Sequence, residues 1–352
     1  MRPPSSFGGN IASLVLIGAV VAGGAAAFAY TGGFLTPGRL TPARLVDALA
    51  PPTGPVLGHR RNHAKGLCAL GTFTANGAGA ALSRARVLAK GTYPVVGRFN
   101  LGTPDPGTPD GEVRVRGLGL EIKPAEGQQW RAAVIDLPFF PVATPQAFYD
   151  LLVASARKDD PEAMKRFAAA HPEIGAFGAW AKSAPFTASY AEECYNSLDS
   201  FVFTDAGGTD HVVRWSLVPQ ARPEDLTAEA LKARGPDYLE DDIVKRIAAA
   251  PQSWTLAITV AEPGDPTADP SKAWPEGRRT VDAGTLTFDR TVPEADGPCR
   301  DINFDPTVLP DGMRTSDDPF PAARSAAYRV SYDRRTAEAA HYPRDTATGA
   351  KP

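Results

Sequence analysis

Between Ile11 and Tyr30 the chain runs for 20 residues (IASLVLIGAVVAGGAAAFAY) without a charged side chain. As a helix this run crosses about 30 Å of hydrocarbon, and it is long for the apolar part of a signal peptide. Ala27-Phe28-Ala29, however, fits an A-x-A cleavage site. Residues 1–31 are therefore read as a membrane anchor or a cleaved export signal, with a buried core helix as the minor reading. In both of the main readings Gly32 onward lies outside the cytoplasm, in the periplasm or tethered to the membrane facing it. The Pro-rich stretch 32–55 forms a tether or arm.

Beyond it the pattern changes. Strand-like runs alternate with Gly breaks from Leu67 to Leu120, with a short helix predicted over Ala78–Leu88 and a loop over Asp105–Gly111. Ala132–Val142 reads as an apolar strand. Helices are predicted from Thr144-Pro145-Gln146 to about Ala156, over Pro161–Ala170 and over Ile174–Ala181. Val213, Trp215 and Leu217 then alternate with Val212, Arg214 and Ser216, behind the turn Asp205-Ala206-Gly207-Gly208, which is a hairpin signal. Further strands are predicted at Ser200–Thr204, His211–Val218, Ser253–Ala261 and Thr285–Phe288. Helices interrupt them at Thr227–Arg234 and Tyr238–Ala250. So many short strands of this kind suggest an antiparallel barrel or sandwich in an α+β protein. Near the C-terminus, Ser316-Asp317-Asp318 offers N-caps, Pro319 suits a first turn and Ala322–Arg335 favours helix. Arg324, Tyr328 and Arg335 share one face of that helix. The tail 341–352 is expected to be disordered.

The chain has 352 residues, enough for one large domain or two, with ample core for an internal cofactor cavity. A formal charge of −3 gives no electrostatic pull toward nucleic acid or an anionic membrane. The 3 cysteines are too few for a disulfide scaffold. Cys194 and Cys299 are a candidate pair in an oxidising compartment, and Cys68 a small packing residue.

Two short stretches carry recognisable chemistry. Arg60-Arg61-Asn62-His63-Ala64-Lys65-Gly66 places an Arg three residues before an H-A-K-G motif, and Arg324-Ser325-Ala326-Ala327-Tyr328 is an R-x-x-x-Y helix motif. Between them lie Arg98-Phe99, the segment Arg116-Gly117-Leu118-Gly119 with Glu121-Ile122-Lys123, and Phe304-Asp305-Pro306. Together, and in this order, they resemble the heme catalase superfamily, and within it the short catalase-related peroxidases. The resemblance runs from about His59 to Arg335. It implies a catalase-like eight-stranded antiparallel β-barrel with surrounding helices over residues 56–340, holding one heme b.

The same resemblance implies the roles. His63 is the distal base that takes a proton from bound peroxide and returns it to the leaving oxygen, a task suited to a near-neutral imidazole. Tyr328 is the iron ligand, with Arg324 one turn away to favour the phenolate. Arg60, Arg98 and Arg335 match the positions that bind the heme propionates. The other four histidines sit in no motif. The implied reaction is reduction of organic hydroperoxides or hydrogen peroxide through an oxoferryl intermediate, with a small-molecule electron donor. A true catalase is the first alternative, and a non-catalytic heme- or lipid-binding barrel the second.

Two departures stand out. Where the family carries a distal Asn, the stretch reads Val134-Ile135-Asp136-Leu137-Pro138, placing Ile135 at the amide position. That should penalise dismutation, which needs a second peroxide held as reductant. Asn100 stands where catalases usually have a Ser bonded to the distal His, and its carbonyl can take over that bond. Phe139, Phe140, Phe148 and Val96 are candidates for the cavity wall.

Overall fold

The computed structural model describes residues 7–341 apart from 37, 52 and 126. The tail expected to be disordered lies, from residue 342 on, outside the described residues. The chain opens with α1 (Phe7–Thr31) and α2 (Pro42–Ala48), followed by β1 (Gly66–Ala75), β2 (Gly91–Leu101), β3 (Arg116–Ala125) and β4 (Gln128–Ile135). Three helices follow, α3 (Pro145–Ala156), α4 (Ala163–Ala170) and α5 (Ile174–Ser183). Next come β5 (Phe186–Thr187), β6 (Tyr195–Asn196), β7 (Phe201–Thr204), β8 (Asp210–Pro219) and β9 (Asp225–Leu226). The remainder is α6 (Ala228–Lys232), α7 (Tyr238–Ala249), β10 (Gln252–Val260), β11 (Thr280–Pro293), β12 (Met313–Thr315) and α8 (Phe320–Ala337).

Eight of these strands close on themselves in the order β10-β11-β1-β2-β3-β4-β6-β8, and β8 returns to pair with β10. Every pairing in this barrel is antiparallel. Closure removes the exposed edges that an open sheet of this size would present. β7 and β12 extend the sheet beyond β8. The interior follows the period-two pattern: Val213, Trp215 and Leu217 are buried while their neighbours are more exposed. Aromatic rings fill the middle, with Phe99, Trp254 and Phe288 in mutual contact at centroid distances of 5.5–5.9 Å.

Local chemistry explains most boundaries. Thr144 caps α3 by accepting from the Ala147 amide at 3.1 Å, with Pro145 in the first turn. Asp205 Oδ1 accepts from the amides of Gly207 and Thr209, and Gly208 adopts φ +87°, closing the β7–β8 hairpin. The helix expected over Ala78–Leu88 is instead two 3-10 turns, Ala78–Ala81 and Arg86–Leu88. Between them the Ser83 hydroxyl donates to Gly312 O and accepts from the Ala85 amide, so the side chain competes with helix continuation. β4 stops at Ile135 rather than running to Val142. Within the stretch expected to be a tether, α2 packs on α8 through Leu45, Val46 and Ala327.

Candidate active site

A cavity of about 210 Å³, partly open to solvent, lies between the barrel and α8. His63, Arg60, Arg98, Arg324, Tyr328 and Arg335 all line it, so the fold gathers every candidate side chain from three separate stretches of sequence.

His63 sits just before β1 with φ +55°, a left-handed conformation uncommon for a residue with a side chain. The Asn62 side chain supports it, accepting from the His63 amide at 2.9 Å. The His63 Nδ1 lies 2.6 Å from Asn100 Oδ1. Asn100 Nδ2 donates to Arg98 O at 2.9 Å, which turns the carbonyl of the amide toward His63. A carbonyl only accepts, so Nδ1 carries the proton and Nε2 keeps its lone pair. Gly117 makes this possible, because a Cβ there would stand 2.4 Å from Asn100 Oδ1. Burial lowers the His63 pKa to about 4; the Asn100 bond resists the shift and the charges of Arg98, Arg324 and Arg60 reinforce it. The imidazole is thus neutral at ordinary pH.

α8 carries the second group. Arg324 Nη2 donates to Tyr328 Oη at 3.2 Å, one helical turn on, and to Ala133 O at 2.6 Å. Its Nη1 pairs with the buried carboxylate of Asp199 at 2.5 Å. Burial opposes the Arg324 charge, but Tyr328 and Asp199 outweigh it and raise the pKa above the ordinary guanidinium value. The Asp318 Oδ1 accepts from the Phe320 amide and starts the helix, with Pro319 itself in the N-cap position.

The third group is a set of cations, with Arg98 and Arg335 buried and Arg60 half-buried. Arg98 makes a two-pronged pair with Glu294, both bonds 2.7 Å, and donates to the backbone oxygens of His63 and Ala64. Arg60 approaches the same Glu294 at 3.7 Å. Arg60 and Arg335 share the carbonyls of Arg300 and Ile302. Burial and the mutual charges push the Arg60 pKa well down, and they push Arg335 down to about 10. One carboxylate therefore faces three guanidiniums, leaving two positive charges to be met.

The catalase family model matches residues 39–342. The chain belongs to the catalase family. Among its relatives in that family, the catalase-related peroxidase of Synechococcus elongatus is 36% identical over 297 residues, covering 83% of this chain and 88% of the relative. The catalase-related peroxidase of Mycolicibacterium paratuberculosis is 33% identical over 293 residues, covering 83% of this chain and 93% of the relative. A fungal catalase crystal structure superposes with a TM-score of 0.70 at 19% identity, covering 79% of this chain. A bacterial catalase does so with the same score and identity. The chain spans 59% and 57% of those two solved proteins, whose likeness establishes the shared barrel fold.

Catalase-family proteins bind heme, and this cavity suits one. Its walls are largely apolar, its surplus of two positive charges matches two propionates, and the Arg60 Nε is buried without a hydrogen-bond partner. A phenol oxygen with an adjacent guanidinium is a donor set for ferric iron.

Other expectations divide. Phe140 and Phe148 line the cavity; Phe139 is not on its wall, and Val96 packs in the cluster of Cys68, Cys299 and Phe304. Ile135 faces the cavity, whereas Asp136 bonds both ways with the Arg116 backbone, and burial and Glu193 raise its pKa to about 8. Asn196, beside Ile135 in the sheet, also reaches the cavity wall. Its amide is already committed to Leu137 O and Cys194 O, and its carbonyl to Ser216. The disulfide joins Cys68 to Cys299, not Cys194 to Cys299, and Cys194 is free. β1 and the 3-10 turn Pro298–Asp301 meet only through the tertiary fold, 231 residues apart in sequence. Glu294 and Asp199 are site residues that sequence reading missed, since both lie in segments without a motif.

Proposed function

We propose that this protein is a heme b peroxidase that reduces organic hydroperoxides and hydrogen peroxide with electrons from an external small-molecule donor. The observation that carries this reading is the fixed, neutral His63 tautomer in the same cavity as the Arg324–Tyr328 pair. Bound there, heme would supply the iron at which the O–O bond of peroxide breaks. Tyr328 would hold that iron through its phenol oxygen, with Arg324 donating a hydrogen bond to that oxygen and Asp199 anchoring Arg324. Arg60, Arg98 and Arg335 would bind the propionates. His63 Nε2 accepts the proton of the incoming hydroperoxide and returns it to the departing oxygen, which leaves as water or alcohol. Asn100 holds the ring in the tautomer that this requires.

Ile135 favours the peroxidase over the true catalase. With Ile135 at the amide position and the Asn196 amide engaged, neither offers a donor to orient a second hydrogen peroxide, while an organic hydroperoxide gains apolar contact. The apolar helix α1 and the Cys68–Cys299 disulfide support a protein exported to the periplasm or anchored facing it, with residues 1–31 as signal or anchor and 56–340, joined by the α2 helix packed on α8, as the heme domain. The test is His63→Ala in heme-loaded protein. Loss of hydroperoxide reduction by a hundredfold or more, with heme content unchanged, is expected. Unchanged turnover would remove His63 from the reaction.

A further inference from the structure

The route from α1 to the cavity is short and bonded throughout. Arg39 Nη1 donates to Tyr30 O at 3.1 Å, and its guanidinium lies over the Tyr30 ring, so the last turn of α1 is tied to a residue three positions before α2. Arg44, in α2, donates to Arg39 O at 2.7 Å and to Tyr149 Oη of α3 at 3.2 Å. α2, with Leu49 at its C-cap, and α3 wall one side of the cavity, through Leu45, Val46, Leu49 and Phe148. The end of a helix long enough to cross a bilayer is therefore coupled to the apolar wall of the site.

The exposed surface agrees. Outside α1, the large apolar side chains that stand exposed among the described residues are Phe34, Leu35, Val56, Leu57, Met164, Val218 and Val244. Four of the seven fall within residues 34–57, the segment that runs from α1 past α2 to the site. Phe34 is 77% exposed and Leu35 59%. Phe34 and Leu35 follow directly on α1, a helix long and apolar enough to cross a membrane, and Tyr30 and Arg39 meet at its end, a composition that suits a membrane interface.

We propose that α1 remains as an anchor, that Phe34, Leu35, Val56 and Leu57 seat the domain on the bilayer, and that the cavity takes acyl hydroperoxides of membrane lipids. The proposal rests on the peroxidase reading above. In the reaction ROOH + 2 ArOH → ROH + H2O + 2 ArO•, the O–O bond breaks and the hydroperoxide gains two electrons and two protons. Two molecules of a phenolic donor supply them, each losing one electron and one proton. The lipid alcohol keeps the inner oxygen and water carries the outer one. Ile135 and the α2–α3 wall accept the acyl chain near the peroxide group.

The experiment uses full-length, heme-loaded protein in phosphatidylcholine vesicles containing phosphatidylcholine hydroperoxide, with guaiacol as donor and tert-butyl hydroperoxide as the soluble comparison. The double variant Phe34→Glu/Leu35→Glu keeps α1 and every cavity residue. It should float with the vesicles and consume tert-butyl hydroperoxide at the wild-type rate, but consume lipid hydroperoxide at least tenfold more slowly. Equal lipid rates in the two proteins, or wild-type turnover of the soluble substrate alone, overturn the proposal while leaving the peroxidase reading intact. Turnover of neither substrate overturns both. The mass of the protein from the membrane fraction is the second readout: retention of residues 7–31 is expected, and their removal overturns the anchor.

Discussion

Asn100→Leu isolates what the distal hydrogen bond does. The substitution keeps the approximate volume and removes the carbonyl that now accepts from His63 Nδ1 at 2.6 Å. His63 is half-buried and its Nδ1 is turned onto Asn100, so an unmatched Nδ1–H costs about 1–3 kcal/mol. The ring escapes this cost by moving the proton to Nε2, the nitrogen needed as base. If the reactive tautomer falls by that free energy, its population and the rate fall about 5- to 150-fold. The assay is stopped-flow consumption of tert-butyl hydroperoxide at pH 7, normalised to bound heme by the Soret absorbance. Asn100→Ser, whose hydroxyl can accept from Nδ1, should recover part of the rate. A rate within twofold of wild type in Asn100→Leu would refute the tautomer argument.

Other expectations follow from the same site. The unfolded chain protonates His63 below about pH 6.5, whereas the folded heme-free protein resists until about pH 4. The stability associated with the neutral ring is therefore complete above pH 6.5 and lost between 6.5 and 4, by about 2 kcal/mol at pH 5. Denaturation of the heme-free wild type should then lose that much more stability from pH 7 to 5 than His63→Leu; parallel curves would contradict it. Glu294→Gln leaves the buried Arg98 and Arg335 and the half-buried Arg60 without a carboxylate and should destabilise the heme-free protein by about 3–5 kcal/mol. The loss should be smaller with heme bound, and equal losses in thermal unfolding would count against the propionate assignment. Ile135→Asn places an amide on the cavity wall, and an oxygen electrode should record at least a tenfold rise in oxygen evolved from hydrogen peroxide relative to donor oxidation. No rise would mean that Ile135 is not what limits dismutation.

Much of this architecture is legible in the sequence. Alternating residues such as Val213, Trp215 and Leu217 betray a strand with one buried face, and the spacing of Arg324, Tyr328 and Arg335 gives a helical face directly. Asn100 was visible because it follows Arg98-Phe99 on a strand. What escaped depends on contacts between distant segments. Glu294 matters because β11 ends beside Arg98, and Asp199 because the chain enters β7 next to α8; neither has a local signature. For the same reason the candidate pair Cys194–Cys299 gives way to Cys68–Cys299 in the structure. The 78–88 helix failed locally, since propensity favoured Ala-rich helix while the Ser83 side chain took the backbone bonds.

The most direct test of the heme assignment is the absorption spectrum of the protein purified from cells supplied with a heme precursor, compared with that of Tyr328→Phe. The predicted result is a Soret band with high-spin charge-transfer bands in the wild type, both altered when the phenol oxygen is removed. A colourless protein that also refuses added hemin, or a spectrum identical in the two proteins, would contradict Tyr328 as the iron ligand.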